Sequence, residues 1–180
     1  MKKQLNCRKN IRLKSWNYAW EAAYFVTICT FEKKHFFGSI EQGEMHLSHQ
    51  GILADVLWFE IQNRVADISL GEYVIMPNHL HAILVIHSSK TDETTDINQP
   101  CQKEFNHSSR FQNIGKRSVS SILGNYKSAV TKHANRLGLP FQWQTRFHDH
   151  IIRDEKSYQL ITEYIQNNPQ KWSDDMYCID

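Results

Sequence analysis

Two histidines one residue apart, His79 and His81, carry the strongest chemical signal in this chain. They lie in Pro77-Asn78-His79-Leu80-His81-Ala82-Ile83, which leads into a β-branched, apolar run. On a strand, side chains two apart share a face, so the two imidazoles project side by side and Leu80 turns to the opposite face. Two imidazoles so placed can bind one divalent cation. Near the C-terminus, Leu160, Tyr164 and Asn168 recur at helical spacing beside Ile161 and Ile165. That spacing puts a phenol and a side-chain amide one turn apart on one stripe. Tyr164 is the candidate nucleophile, and Asn168 a candidate third metal ligand or water-positioning group. Plainer readings stand beside these. Ten histidines produce such pairs by chance, a helical tyrosine more often packs its ring and leaves its hydroxyl at the surface, and Asn168 can simply cap the helix before Pro169.

A phenol ionises near pH 10 (roughly) and attacks poorly at neutral pH without help. A cation on a scissile phosphate draws charge from phosphorus and stabilises the developing oxyanion, so a metal and a tyrosine would act together. Attack on a phosphodiester would leave a 5′-phosphotyrosine and a free 3′-hydroxyl. The new link conserves the energy of the old one, so rejoining needs no ATP.

The bulk properties are compatible with that chemistry. A chain of 180 residues, 41% hydrophobic and 22% charged, fits one domain with a real core. A net charge of +2 allows a nucleic-acid partner where the cations cluster. Lys2, Lys3, Arg8, Lys9, Arg12 and Lys14 crowd the N-terminus, and Lys127, Lys132 and Arg136 share a later helix. Cys7, Cys29, Cys101 and Cys178 form no CxxC pair. With no secretory leader and no apolar run of the roughly 20 residues a bilayer needs, the expectation is a reduced cytoplasmic protein without a membrane partner.

The elements that must position these groups follow from periodicity. Residues 1–21 form a basic arm with Trp16, Tyr18 and Trp20. Residues 22–31 are aromatic and β-branched and predict a buried strand, followed by a short hairpin over residues 36–45. Ser48 caps a helix reaching about Val65, with an apolar face built from Ile52, Val56 and Phe59 and from Leu53, Leu57 and Ile61. Strands are predicted over residues 71–76 and 81–86 around the Pro77-Asn78 turn. Residues 88–116 are polar and aperiodic and are expected to be a mobile insertion. A helix over residues 118–137 stops at Gly138-Leu139-Pro140, residues 143–152 return to β character, and Asp154 caps a last helix that Asn167-Asn168-Pro169 ends. That order gives an α+β, split βαβ domain over residues 22–172, an antiparallel sheet with helices on one face plus an extra C-terminal helix. Residues 173–180 read as a tail.

Arg146, His148, His150 and Arg153 alternate with Phe147 and Ile151, which suits a phosphate backbone or is one solvated face. In the arm, Arg12 and Lys14 offer charge and Trp16 a stacking surface worth about 1–3 kcal/mol per unpaired base, unless the arm is a plain tail. Lys127 carries the same ambiguity.

Three segments together resemble a known family. They are Tyr24-Phe25-Val26-Thr27-Ile28-Cys29-Thr30; Val74-Ile75-Met76-Pro77-Asn78-His79-Leu80-His81-Ala82-Ile83; and Trp143-Gln144-Thr145-Arg146-Phe147-His148-Asp149-His150-Ile151-Ile152-Arg153-Asp154 leading to Tyr164-Ile165-Gln166-Asn167-Asn168-Pro169. In order and spacing they are similar to the REP-associated tyrosine transposases, relatives of the insertion-sequence 200-like transposases among the HUH endonucleases. The resemblance implies a ferredoxin-like fold, Mg²⁺ or Mn²⁺ held by His79 and His81 as the HUH pair, Tyr164 as nucleophile and Asn168 near the metal. It also implies single-stranded DNA with hairpins, often palindromic repeats, as partner. A homodimer is possible, and could donate Tyr164 across its interface. Tyr126 and Tyr158 are rival phenols. The alternatives are a domesticated hairpin-binding relative that does not cut, a ferredoxin-like RNA-binding module, and a hydrolase that uses water.

Overall fold

The run Tyr24-Phe25-Val26-Thr27-Ile28-Cys29 puts alternate side chains on opposite faces, and both faces are covered. It forms β1 (Ala22–Cys29), an inner strand of the computed structural model, which describes residues 21–87, 118–175 and 177–178. The basic arm, with Arg12, Lys14 and Trp16, and the insertion of residues 88–116 lie outside these residues. β1 pairs antiparallel with β5 (His79–Ile86) on one side and β6 (His148–Ile152) on the other. β4 (Ile68–Met76) pairs with β5, giving the order β4-β5-β1-β6. A separate hairpin, β2 (Gly38–Glu41) with β3 (Glu44–Leu47), follows β1.

Three helices complete the α+β, ferredoxin-like arrangement: α1 (His49–Arg64), α2 (Val119–Arg136) and α3 (Glu155–Asn167). Each begins at a side-chain cap. Ser48 accepts from the Gly51 amide, Ser118 from Ser121, and Asp154 from Ser157 at 2.8 Å. Gly138, at φ 67°, lets the chain leave α2 while the Leu139 amide bonds back to the Ala134 carbonyl.

The sheet has two unequal cores. On one face α1 and α2 bury Trp58, Leu57, Ile61, Ile122, Leu123 and Val130 against Tyr24, Val26, Ile28, Leu80 and Leu84. On the other face α3 lies alone over Ile83, Ile152 and Ile165, with Phe25, Val74, Val85, Tyr158 and Ile161 packed around them. Fully burying such a side chain contributes about 1.5–3 kcal/mol, so α3 rests on the thinner core. Gly71 permits its close seating: a methyl there would stand 2.7 Å from the Tyr158 hydroxyl and 3.0 Å from Ile83 Cβ.

Several boundaries differ from expectation. β1 ends at Cys29, and Phe31–Lys33 form a 3-10 turn with Glu32 and Lys33 at φ 52° and 54°. β4 starts earlier, at Ile68, and carries an irregularity between Leu70 and Tyr73. β5 already includes His79. Between residues 143 and 147 the only β pairing is one bridge from Trp143 to Thr30, so Arg146 precedes β6 and Arg153 follows it. On α1, Ile52, Val56 and Phe59 are about half exposed, because the helix is rotated to seat Ala54, Leu57, Trp58 and Ile61. Among the described residues no helix is long and apolar enough to cross a membrane.

Candidate active site

Antiparallel register places directly opposed residues on the same face. Val74, His81, Thr27 and His148 therefore form one cross-strand row, and Met76, His79 and Cys29 the next, on the face that α3 crosses. The His79 and His81 rings lie 4.4 Å apart at 69°. Both are buried, at 0% and 2% exposure. Thr27 Oγ1 is 2.8 Å from His81 Nδ1, and Asn78 Oδ1 is 2.8 Å from His79 Nδ1. Phe25 stacks on the His81 ring at 5.1 Å and meets the Tyr164 ring edge-on.

Burial disfavours the charged form of both imidazoles. It pushes His79 well below the usual histidine value, with His81 and Lys33 adding repulsion, and it takes His81 to about 4 despite Asp175 nearby. Both rings are therefore neutral at pH 7, the form in which imidazole binds metal. Cys29, beside His79 in the register, is pushed up to about 11 by burial and stays a thiol.

From the other side α3 delivers the phenol. Tyr164, 44% exposed, has its hydroxyl 3.2 Å from His81 Nε2. Partial burial and then the charge of Asp175 raise its ionisation above that of a free phenol, against a smaller opposite effect of the Asn168 amide. One turn on, Asn168 is buried and donates from Nδ2 to Asp175 at 3.1 Å. Pro169 then opens a 3-10 segment (Pro169–Asp174), after which the chain returns to the histidines. His79, His81 and Asp175 each offer one ligand atom, all within 4.8 Å of one another. A cleft of about 240 Å³ lined by Tyr164, Asn168, Lys171, Asp174 and Asp175 opens beside them.

The donors present fit a cation. His79 Nε2 and Asn168 Oδ1 are buried without a hydrogen-bond partner among the described residues. Such orphaned atoms are costly unless something fills them. Two imidazole nitrogens with a carboxylate and an amide oxygen make a mixed N/O set able to hold a divalent metal.

The structure thus brings His79, His81, Tyr164 and Asn168 together. Of the candidate DNA contacts, His148 and His150 are exposed on β6, on the same face as His81, and Arg146 and Arg153 are exposed just outside that strand. Lys127 is engaged internally: its ammonium donates to the carbonyls of Gln144 at 2.6 Å and Thr145 at 3.3 Å. Neither rival phenol reaches the histidines. Tyr126 is buried in the opposite core and donates to the Ala54 carbonyl, and Tyr158 packs over Gly71 and the Ile83 cluster. Sequence reasoning missed Asp175, Asn78, Thr27, Phe25 and Tyr177, whose ring lies 4.6 Å from that of His79. For Asp175 the only signal was an acidic pair, Asp174-Asp175, in a segment with no periodicity.

The fold is shared with a solved tyrosine transposase. A solved REP-associated tyrosine transposase bound to a REP hairpin superposes with a TM-score of 0.57 over 89% of this chain and 74% of its own, at 18% identity. A protein of Haemophilus influenzae, itself uncharacterized, is 38% identical over 174 residues, 96% of this chain and 94% of its own length. The chain belongs to the family of that Haemophilus protein. No family model matches it.

Proposed function

We propose that the protein cuts and rejoins hairpin-bearing single-stranded DNA, as a metal-dependent tyrosine transposase or nickase with Tyr164 as the nucleophile. The observation that carries this reading is the 3.2 Å approach of the Tyr164 hydroxyl to one of two buried, neutral histidines that share a ligand cluster with Asp175. His79, His81 and Asp175, with Asn168, would hold Mg²⁺ or Mn²⁺. When bound, that cation supplies charge withdrawal from the phosphate and stabilisation of the oxyanion.

The chain's own residues do the rest. Tyr164 Oη forms the bond to phosphorus, and the bond from phosphorus to the 3′ oxygen breaks. The phenol proton passes to the Asp175 carboxylate, whose nearby negative charge already raises the ionisation of the phenol. The departing 3′ oxygen takes a proton from solvent, and reversal of the same steps reseals the strand. Phe25 fixes the plane of His81, and Thr27 holds its far nitrogen. His148, His150, Arg146 and Arg153 flank this face as contacts to the phosphate backbone, with Arg12, Lys14 and Trp16 of the arm and Lys127 as further candidates. The REP hairpin on the structural neighbour supports a palindromic-repeat hairpin as the partner. A homodimer is compatible with this scheme.

One observation favours a hairpin-binding relative that does not cut: the Tyr177 ring lies against both imidazoles, 4.6 Å and 5.7 Å away, where substrate would enter. A labelled hairpin with single-stranded flanks, Mn²⁺ and a denaturing gel separate the two. Cleavage by Tyr164 gives an SDS-resistant adduct that Tyr164→Phe abolishes and that His79→Ala loses while still shifting the hairpin in a native gel. A gel shift without any adduct supports the non-cutting reading, and cutting without an adduct indicates a water-using hydrolase.

A further inference from the structure

Asn78 stands between the metal-ligand candidates and two other parts of the chain, and its side chain is fully buried. Both amide hydrogens are committed to carbonyls: Nδ2 donates to Tyr177 O at 2.8 Å and to Lys33 O at 3.1 Å. A flipped amide would set its oxygen against two carbonyl oxygens, so this pair of acceptors fixes which end of the amide is nitrogen. Oδ1 is thereby turned to His79 Nδ1, 2.8 Å away. An amide oxygen only accepts, so His79 Nδ1 must carry the proton and Nε2 the lone pair. Nε2 is the atom left buried and without a partner. The backbone of Asn78 is held as well, because its carbonyl accepts from the Thr30 amide at 2.9 Å, while the Thr30 hydroxyl lies between that carbonyl at 3.0 Å and the Lys34 carbonyl at 2.7 Å.

From this network we infer that Asn78 is a positioning residue. It locks His79 in the tautomer that presents Nε2 to the ligand cluster, and the same amide ties that setting to the docking of the C-terminal segment. That segment brings Asp175, two residues before the carbonyl that Asn78 holds. One side chain therefore readies a nitrogen donor and helps seat an oxygen donor. A neutral imidazole has two tautomers, and the partner of one nitrogen decides which the other can ligate with.

The role rests on the proposed reading of His79 as a metal ligand, but its first test needs neither metal nor DNA. Nitrogen-15 correlation spectra of the metal-free protein at neutral pH, with the His79 signals assigned by their loss in His79→Gln, report the tautomer directly. The expected result is a proton on Nδ1 in the wild type, with a shift of population toward the Nε2–H form in Asn78→Ala. Mn²⁺ affinity, read by spin resonance of the free ion, should fall roughly 10- to 100-fold in that variant. A wild-type His79 protonated on Nε2 overturns the inference even if Asn78→Ala does not fold. So does a folded Asn78→Ala with unchanged tautomer or unchanged Mn²⁺ affinity. Failure of the adduct assay would instead sink the nuclease reading and leave the tautomer result standing.

Discussion

Acidification should cost this protein stability through its buried imidazoles, by an amount that His81 lets one calculate. In the unfolded chain a histidine takes up its proton at about 6.5, whereas burial holds His81 at about 4 in the native state. Above 6.5 both states are neutral there and the native state keeps its full stability. Between those two values the unfolded chain binds the extra proton, and stability falls by about 1.4 kcal/mol per pH unit for this one group. By pH 4 the loss from His81 alone is about 3 kcal/mol, and His79, pushed down by burial in the same direction, adds to it. Domains have only about 5–15 kcal/mol in total. The assay is urea unfolding at a series of pH values for the wild type and His81→Gln. Groups remote from His81 contribute equally to both proteins, and the variant also relieves the repulsion that His81 exerts on His79, so the wild type should lose at least about 3 kcal/mol more than the variant between neutral pH and pH 4. Mn²⁺ should stabilise the wild type at neutral pH and cease to do so in acid, because protons and metal compete for the same lone pairs. Parallel pH profiles for the two proteins would refute the reasoning.

Asp175→Asn removes one donor of the ligand cluster and a charge that raises the Tyr164 phenol. Mn²⁺ affinity should drop at least about tenfold, and the phenol should ionise at lower pH, read as the difference in ultraviolet titration against the same variant carrying Tyr164→Phe. Gly71→Ala places a methyl against Tyr158 and Ile83 under α3, and overpacking of this kind should cost about 1–3 kcal/mol in urea unfolding. Wild-type stability in that variant would mean that α3 does not seat as closely on β4 as described.

Much of the site was legible because its signals are local. The alternation around Leu80 placed both histidines on one face, and helical spacing placed Tyr164 one turn from Asn168. The caps Ser48, Ser118 and Asp154 are short-range hydrogen bonds that their residue types announce. What was hidden depends on partners. On α1 the stripe Ile52, Val56 and Phe59 is as apolar as the one that is buried, and only the sheet beneath decides that Trp58 and its neighbours go inside. The stretch from Trp143 to Phe147 has β-type residues but mostly lacks a strand to pair with. Asp175 arrives through a 3-10 reversal without periodicity, and Asn78 acquires its role from Lys33 and Tyr177, far away in sequence. Local patterns reveal which face a residue occupies; they do not reveal which distant segment meets it.

The most direct measurement takes the SDS-resistant product of protein and labelled hairpin, digests it with trypsin and nuclease, and locates the residual nucleotide by mass spectrometry. Cleavage after Lys156 and Lys171 isolates Ser157–Lys171, which holds Tyr158 and Tyr164, from Trp172–Asp180, which holds Tyr177. The account predicts the nucleotide on Ser157–Lys171, with fragment ions assigning it to Tyr164. A nucleotide on Tyr177 or Tyr158 would contradict it.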